Sequence, residues 1–194
     1  MSFANSLELV ATALEENSKK FEELDSVAGD GDLGITAGNI AKGLRSGATQ
    51  VTGDLKADLM LLGREIAKFA PSTFGTLFAT GFIRASSAVT DGDSFTNLKL
   101  GLSAAFEGIS TRGKAVVGER TLLDALSPAV NALTASDDLQ SGLSAAAVAA
   151  RAGVVATASM SPKHGRAGWI GERAFGNEDA GATVIAVAFE ALAK

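Results

Sequence analysis

Apolar residues recur at a helical interval along almost the whole chain. Leu7, Val10, Ala11 and Leu14 in the first segment, and Leu55, Leu59, Leu62, Ile66 and Phe69 in a later one, fall three and four apart, which places each set on one helix face. The same spacing predicts helices over residues 97–109 (Leu98, Leu102, Ala105, Phe106, Ile109) and 121–133 (Leu122, Ala125, Leu126, Ala129, Leu133). Apolar-rich runs at 38–50, 76–88, 139–159 and 182–193 bring the expectation to about eight helices. Strand-like alternation is scarce, so the expected fold is all-α. The wealth of Ala and the absence of Tyr predict helix axes that approach closely. Residues 141–159 look like a low-complexity tract, but Leu143, Val148, Val154 and Arg151 give them a packing face, and the segment reads as an interior helix.

The helical pattern breaks at four loops, residues 28–34, 70–75, 112–121 and 161–181. None is a linker long enough in Pro, Gly or Ser to divide the chain, and 194 residues suffice for one buried core, so a single domain over 1–194 is expected. The formal net charge of −5 argues against a nucleic-acid coat, which needs a basic face, but leaves room for a nucleotide held by a few local cations. With no Cys there is no thiol chemistry, and with His164 as the single histidine, His-based zinc sites and Ser-His-Asp triads are excluded unless that residue serves. Glu8, Glu15 and Glu16 do not suit a secretory leader, and no apolar stretch reaches the ~20 residues that a bilayer demands. A cytoplasmic protein without a membrane span is expected.

The run Leu24-Asp25-Ser26-Val27-Ala28-Gly29-Asp30-Gly31-Asp32-Leu33-Gly34 carries the chemistry. Its glycines favour a tight loop that can turn several carboxylates inward, where they repel one another unless a hard divalent cation such as Mg²⁺ joins them. Asp-Gly-Asp is also ordinary turn chemistry, and Asp32 can instead cap the following helix. Asp91-Gly92-Asp93 repeats the triplet ahead of Ser94, and there a turn with a helix cap is expected. An EF-hand is excluded, because Thr36 and Ala41 stand where a bidentate Glu would be required. The loop at 161–181 contains Trp169, Phe175, Arg166 and Arg173 but neither a dinucleotide-binding fingerprint nor a Walker loop. Either arginine can clamp phosphate oxygens or pair with Glu172 or Glu178. The loop at 112–121 reads as a lid over phosphates or as a solvated connector ending in the helix-capping Thr121.

Taken in order, these loops resemble the nucleotide-binding L subunit, or L domain, of dihydroxyacetone kinases over nearly the whole chain. Leu24-Asp25 with Gly29-Asp30-Gly31-Asp32-x-Gly34 is similar to that family's magnesium motif. Thr111-Arg112-Gly113-Lys114-Ala115 with Gly118 and the stretch from Thr121 to Asp124 is similar to its second signature. Gly165-Arg166-Ala167, Gly171-Glu172-Arg173, Gly176, Asp179 and Gly181-Ala182-Thr183 are similar to its third. The resemblance implies an eight-helix antiparallel barrel or bundle that holds ADP or ATP through two Mg²⁺ in loops at one end. It implies that Asp25, Asp30 and Asp32 are the metal ligands and that Leu33, Gly34, Ile35 and Thr36 touch the nucleotide at a helix start, which suits an anion. It further implies that Ser72 and Thr73 stand in for hydroxyl contacts, or cap a Pro-started helix, and that Gly113 and Leu122 line the adenine side. Arg166 would contact the nucleotide and offset charge on the transferred group, and Asp179, Ala180 and Gly181 would close the pocket.

Departures from the family pattern are Leu33 where His is frequent, a divergent stretch from Phe69 to Gly75, Ala180 for Pro, and His164 for Lys, the last expected as an exposed loop residue. The activity implied is phosphoryl transfer to dihydroxyacetone held by a histidine of a separate K subunit. A stand-alone L chain favours rephosphorylation of bound ADP by the phosphohistidine carrier M subunit of the phosphoenolpyruvate phosphotransferase system. The alternative is an ATP-dependent kinase for dihydroxyacetone or another short ketose. An alternative of another class is a nucleotide-binding regulatory partner of a transcription factor, and a homodimer is an open assembly.

Overall fold

The computed structural model describes residues 2–164 and 174–194, and among these it contains nine α-helices and no strand. They are α1 (Phe3–Glu16), α2 (Ser18–Ala28), α3 (Leu33–Ala48), α4 (Leu55–Phe69), α5 (Thr73–Ser87), α6 (Ser94–Gly113), α7 (Leu123–Thr134), α8 (Leu139–Thr157) and α9 (Ala180–Leu192). Six of them start at a polar residue whose side chain accepts a hydrogen bond from the backbone N–H three positions on: Ser2, Asp54, Ser72, Asp93, Asp138 and Asp179. Each such cap takes up an N–H that the helix itself leaves unpaired.

Eight of the helices close a ring. In chain order α1 packs on α3, α3 on α4, α4 on α5, α5 on α6, α6 on α7, α7 on α8 and α8 on α9, and α9 returns to pack on α1. Short loops join α3 through α8, α2 stands between α1 and α3, and a longer stretch leads from α8 to α9; the result is the antiparallel eight-helix barrel that the family resemblance implied. The additional helix, α2, was not foreseen. It packs against α3 and α9 and buries only Phe21, so its apolar stripe is too narrow to stand out from Lys19, Lys20, Glu22 and Glu23. The apolar periodicity over 38–50 catches only part of α3, which begins at Leu33, directly after the acidic loop, where the family resemblance implied a helix start.

The interior has two apolar halves. Leu14, Phe21, Ile40, Leu44, Leu62 and Ile66 anchor one, and Leu123, Leu133, Val154 and Phe189 the other. Phe74 and Phe78 of α5, with ring centroids 6.2 Å apart, touch both halves. Small residues set the spacing of the walls: a Cβ on Gly153 of α8 would lie 2.2 Å from the carbonyl oxygen of Asp124 in α7. By length and composition α8 is apolar enough to cross a bilayer. Here it packs on α7 and α9, with Arg151 donating to Glu190 of α9 at 2.8 Å.

Candidate functional site

The acidic run of the sequence becomes the end of α2, a tight turn and the start of α3. Asp25 lies in the last turn of α2, and its Oδ2 accepts the Leu33 N–H at 3.3 Å, tying the two helices together. Gly31 takes a φ of 76°, and a Cβ there would meet Ser26 Oγ at 2.5 Å, so both conformation and space require glycine. Gly34 in turn lets α3 rest against α2, since its Cβ would lie 2.4 Å from the Ser18 carbonyl oxygen.

This folding converges three carboxylates. Asp25, half-buried, and Asp30 and Asp32, exposed, each offer an oxygen lying within 4.8 Å of the others. Like charges at that separation repel by about 1 kcal/mol per pair even at the dielectric of water. Asp32 stands at the N-cap of α3 yet makes no capping hydrogen bond. Asp93, in the second Asp-Gly-Asp, does what a turn residue does and accepts the Thr96 N–H at 2.7 Å.

The carboxylates border a cavity of about 420 Å³, within the range of small-molecule sites. Phe74 and Leu77 of α5, Ile109 and Gly113 of α6, and Leu122 and Leu123 at the start of α7 make an apolar side. Ser72, Thr73, Asp179, Ala180 and Gly181 contribute from the starts of α5 and α9. Ser72 caps α5 by accepting the Gly75 N–H at 3.0 Å, and Thr73 is the first helical residue, so Pro71 precedes the cap rather than opening the helix. Of the other residues expected at the nucleotide, Leu33 lines the cavity, Gly34 and Thr36 are buried beside it, and Ile35 is 71% exposed. Thr36 Oγ1 lies 3.4 Å from Ser72 Oγ and joins α3 to α5. Arg166, together with Trp169 and Arg173, lies outside the described residues.

The loop between α6 and α7 is firmly held. The Asp124 carboxylate accepts the N–H groups of Gly118 and Thr121. Glu119 accepts the Val116 N–H at 2.9 Å and approaches His164 Nε2 at 2.5 Å and Lys163 Nζ at 3.4 Å. The Val116 N–H first, and then His164, hold the Glu119 carboxyl down at about 2. His164 is therefore a half-buried residue of the cavity wall and not the exposed loop residue expected from sequence. Glu178 lies 4.0 Å from Arg151.

Arg120, in the same loop, is a wall residue that sequence reasoning missed. Only 4% of it is exposed, and its Nη2 donates to the Asn177 carbonyl at 2.9 Å. Across from it, Asp179 caps α9 by accepting the Ala182 N–H at 2.8 Å, and its own N–H donates to Thr157 Oγ1 at 2.8 Å. Burial pushes the Asp179 carboxyl up to about 6; the Ala182 N–H and Arg120 oppose the rise, and Asp124 and Asp25 add to it. Nothing in the sequence distinguishes Arg120 from the exposed charges around it, because the fold alone buries it.

Comparison with known proteins gives consistent matches. The profile of the DAK2 domain matches residues 27–194. A relative from Listeria innocua, named as the ADP-binding subunit of a PEP-dependent dihydroxyacetone kinase, is 34% identical over 92% of this chain and 88% of its own length. An L-erythrulose 1-kinase of Mycolicibacterium smegmatis is 29% identical over 96% of this chain, which spans 34% of that enzyme. The crystal structure of the dihydroxyacetone kinase from C. freundii in complex with AMP-PNP and Mg²⁺ superposes with a TM-score of 0.80 at 29% identity. That match covers 98% of this chain and 33% of the kinase.

Proposed function

Since this chain belongs to the DAK2 domain family, we propose that it is the cytoplasmic, nucleotide-binding phosphoryl-transfer subunit of a dihydroxyacetone kinase. ADP or ATP occupies the cavity, and phosphate passes to dihydroxyacetone held on a separate K subunit. The observation that carries this reading is the convergence of Asp25, Asp30 and Asp32 beside a cavity with an apolar side.

The donor set fits magnesium. Three carboxylates with no nitrogen or sulfur ligand among them suit a hard cation that keeps its remaining positions for water and phosphate oxygens. Asp25, Asp30 and Asp32 would share two Mg²⁺, which when bound neutralise the polyphosphate and the charge on the transferred group. The chain's own residues do the positioning. Asp25 is fixed by the Leu33 N–H, so one ligand arm is set before any cation arrives. Phe74, Leu77 and Leu122 form the apolar side that would receive the flat adenine ring, and α3 reaches the cavity at its first residue, Leu33, a helix start that suits an anion. Little acid–base apparatus is needed, since phosphoryl transfer rests on placement and charge stabilisation.

The Listeria relative, named as the ADP-binding subunit of a PEP-dependent kinase, supports a reading in which retained ADP is recharged by the phosphohistidine M subunit. The M. smegmatis relative, named as an L-erythrulose 1-kinase, supports a second reading in which the ketose is erythrulose, and that reading takes ATP as the donor. Mass analysis of the purified protein separates them: ADP that stays bound until a chelator is added supports the first, and free exchange with turnover on ATP alone supports the second. For either, Asp30→Asn should weaken Mg-ADP binding about tenfold or more in calorimetry, while Asp93→Asn leaves it unchanged. Wild-type protein that takes up neither ADP nor ATP with Mg²⁺ would overturn the assignment.

A further inference from the structure

The guanidinium of Arg120 has donors that no described residue of the protein satisfies. It lies on the cavity wall, 4% exposed, and while Nη2 donates to Asn177, Nε and Nη1 are buried with no hydrogen-bond partner among the described residues. The position is enforced: Arg120 adopts a φ of 57°, in the left-handed region, and the Asp124 carboxylate pins the N–H groups of Gly118 and Thr121 on either side of it. Arginine stays charged even where burial draws its pKa down, so two idle donors on a buried cation are costly. Asp179 attracts Arg120, yet no ion pair joins the two among the described residues. Arg120 and the three carboxylates Asp25, Asp30 and Asp32 line the same cavity.

We infer that Arg120 donates its Nε–H and Nη1–H to non-bridging phosphate oxygens of the nucleotide bound in this cavity, and that it thereby selects ligands with a polyphosphate tail. A planar fork of donors matches two phosphate oxygens, a pair of acceptors that neither a ribose hydroxyl nor the adenine edge, with its N6 donor beside N7, offers to a cation. The inference rests on the nucleotide reading of the cavity and adds a positively charged grip opposite the acidic one.

The test uses the full chain with Mg²⁺ and ADP, in the wild type and in Arg120→Met and Arg120→Lys, reading calorimetric affinity and the melting temperature of the nucleotide-free protein. Arg120→Met should weaken ADP binding about tenfold or more without lowering the nucleotide-free melting temperature, because an unpaired buried charge has been removed. Arg120→Lys should restore only part of the affinity, since a point charge does not reproduce the fork. Unchanged ADP affinity in Arg120→Met, with the wild type binding normally, overturns the inference alone. Affinity lost only together with a lowered melting temperature also overturns it and makes Arg120 a brace between loops. A wild type that does not bind ADP at all removes the nucleotide reading and this inference with it.

Discussion

Asp32 and Asp93 close two identical triplets, each just ahead of a helix, and their carboxylates go to different places. Asp93 turns back onto the Thr96 N–H; Asp32 leaves its own helix uncapped and joins Asp25 and Asp30. A cap given up in favour of clustered like charges is what the proposed cation site requires. At the same scale, Glu119 carries a pH dependence. Its carboxyl falls from an ordinary 4.5 to about 2 on folding, so the unfolded chain binds more protons between those values. The ionised clasp to Val116 and His164 thus stabilises the protein fully above pH 4.5 and is lost as pH falls towards 2. Glu119→Gln should flatten the decline of the melting temperature across that window, and an unaltered profile would show that the clasp contributes nothing.

Among the elements, α4 was legible to the residue: the apolar stripe from Leu55 to Phe69 is broad and Asp54 caps its start. Helix α2 was not, since a helix that lies over the end of a barrel needs only Phe21 to hold it and shows water an otherwise charged surface. The same difference runs through the site. Asp25, Asp30 and Asp32 were readable because carboxylates crowded among glycines conflict with an apolar chain. Arg120 and His164 were not, because each sits among loop residues that look solvated until Asp124 and Glu119 draw the loop inward. The contact between α7 and α8 supports that loop through Asp124. Gly153→Ala places a methyl against the Asp124 carbonyl and should cost about 1–3 kcal/mol in urea unfolding. Because Asp124 also fixes Gly118 and Thr121, nucleotide affinity should fall with it.

For the molecule as a whole, ligand binding and stability are linked, since the cavity draws residues from α2, α3, α5, α6, α7 and α9. Mg-ADP at about a hundred times its dissociation constant should add about 2.7 kcal/mol to the folded state. For a chain of this size that is a rise of roughly 5–10 °C in melting temperature, cancelled by EDTA. A thermal scan in which Mg-ADP and EDTA give the same midpoint would contradict that linkage. The closure of the ring has a further effect. Helix α1 runs towards the acidic turn, ending beside Ser18, which abuts Gly34, whereas α9 runs away from it, from Asp179 to Ala193, whose carbonyl accepts from Gln140 at the opposite pole. The amino and carboxyl ends therefore leave from the floor of the barrel, and a polypeptide tethered to either one departs behind the mouth, leaving the entrance free to meet whatever molecule receives the phosphate.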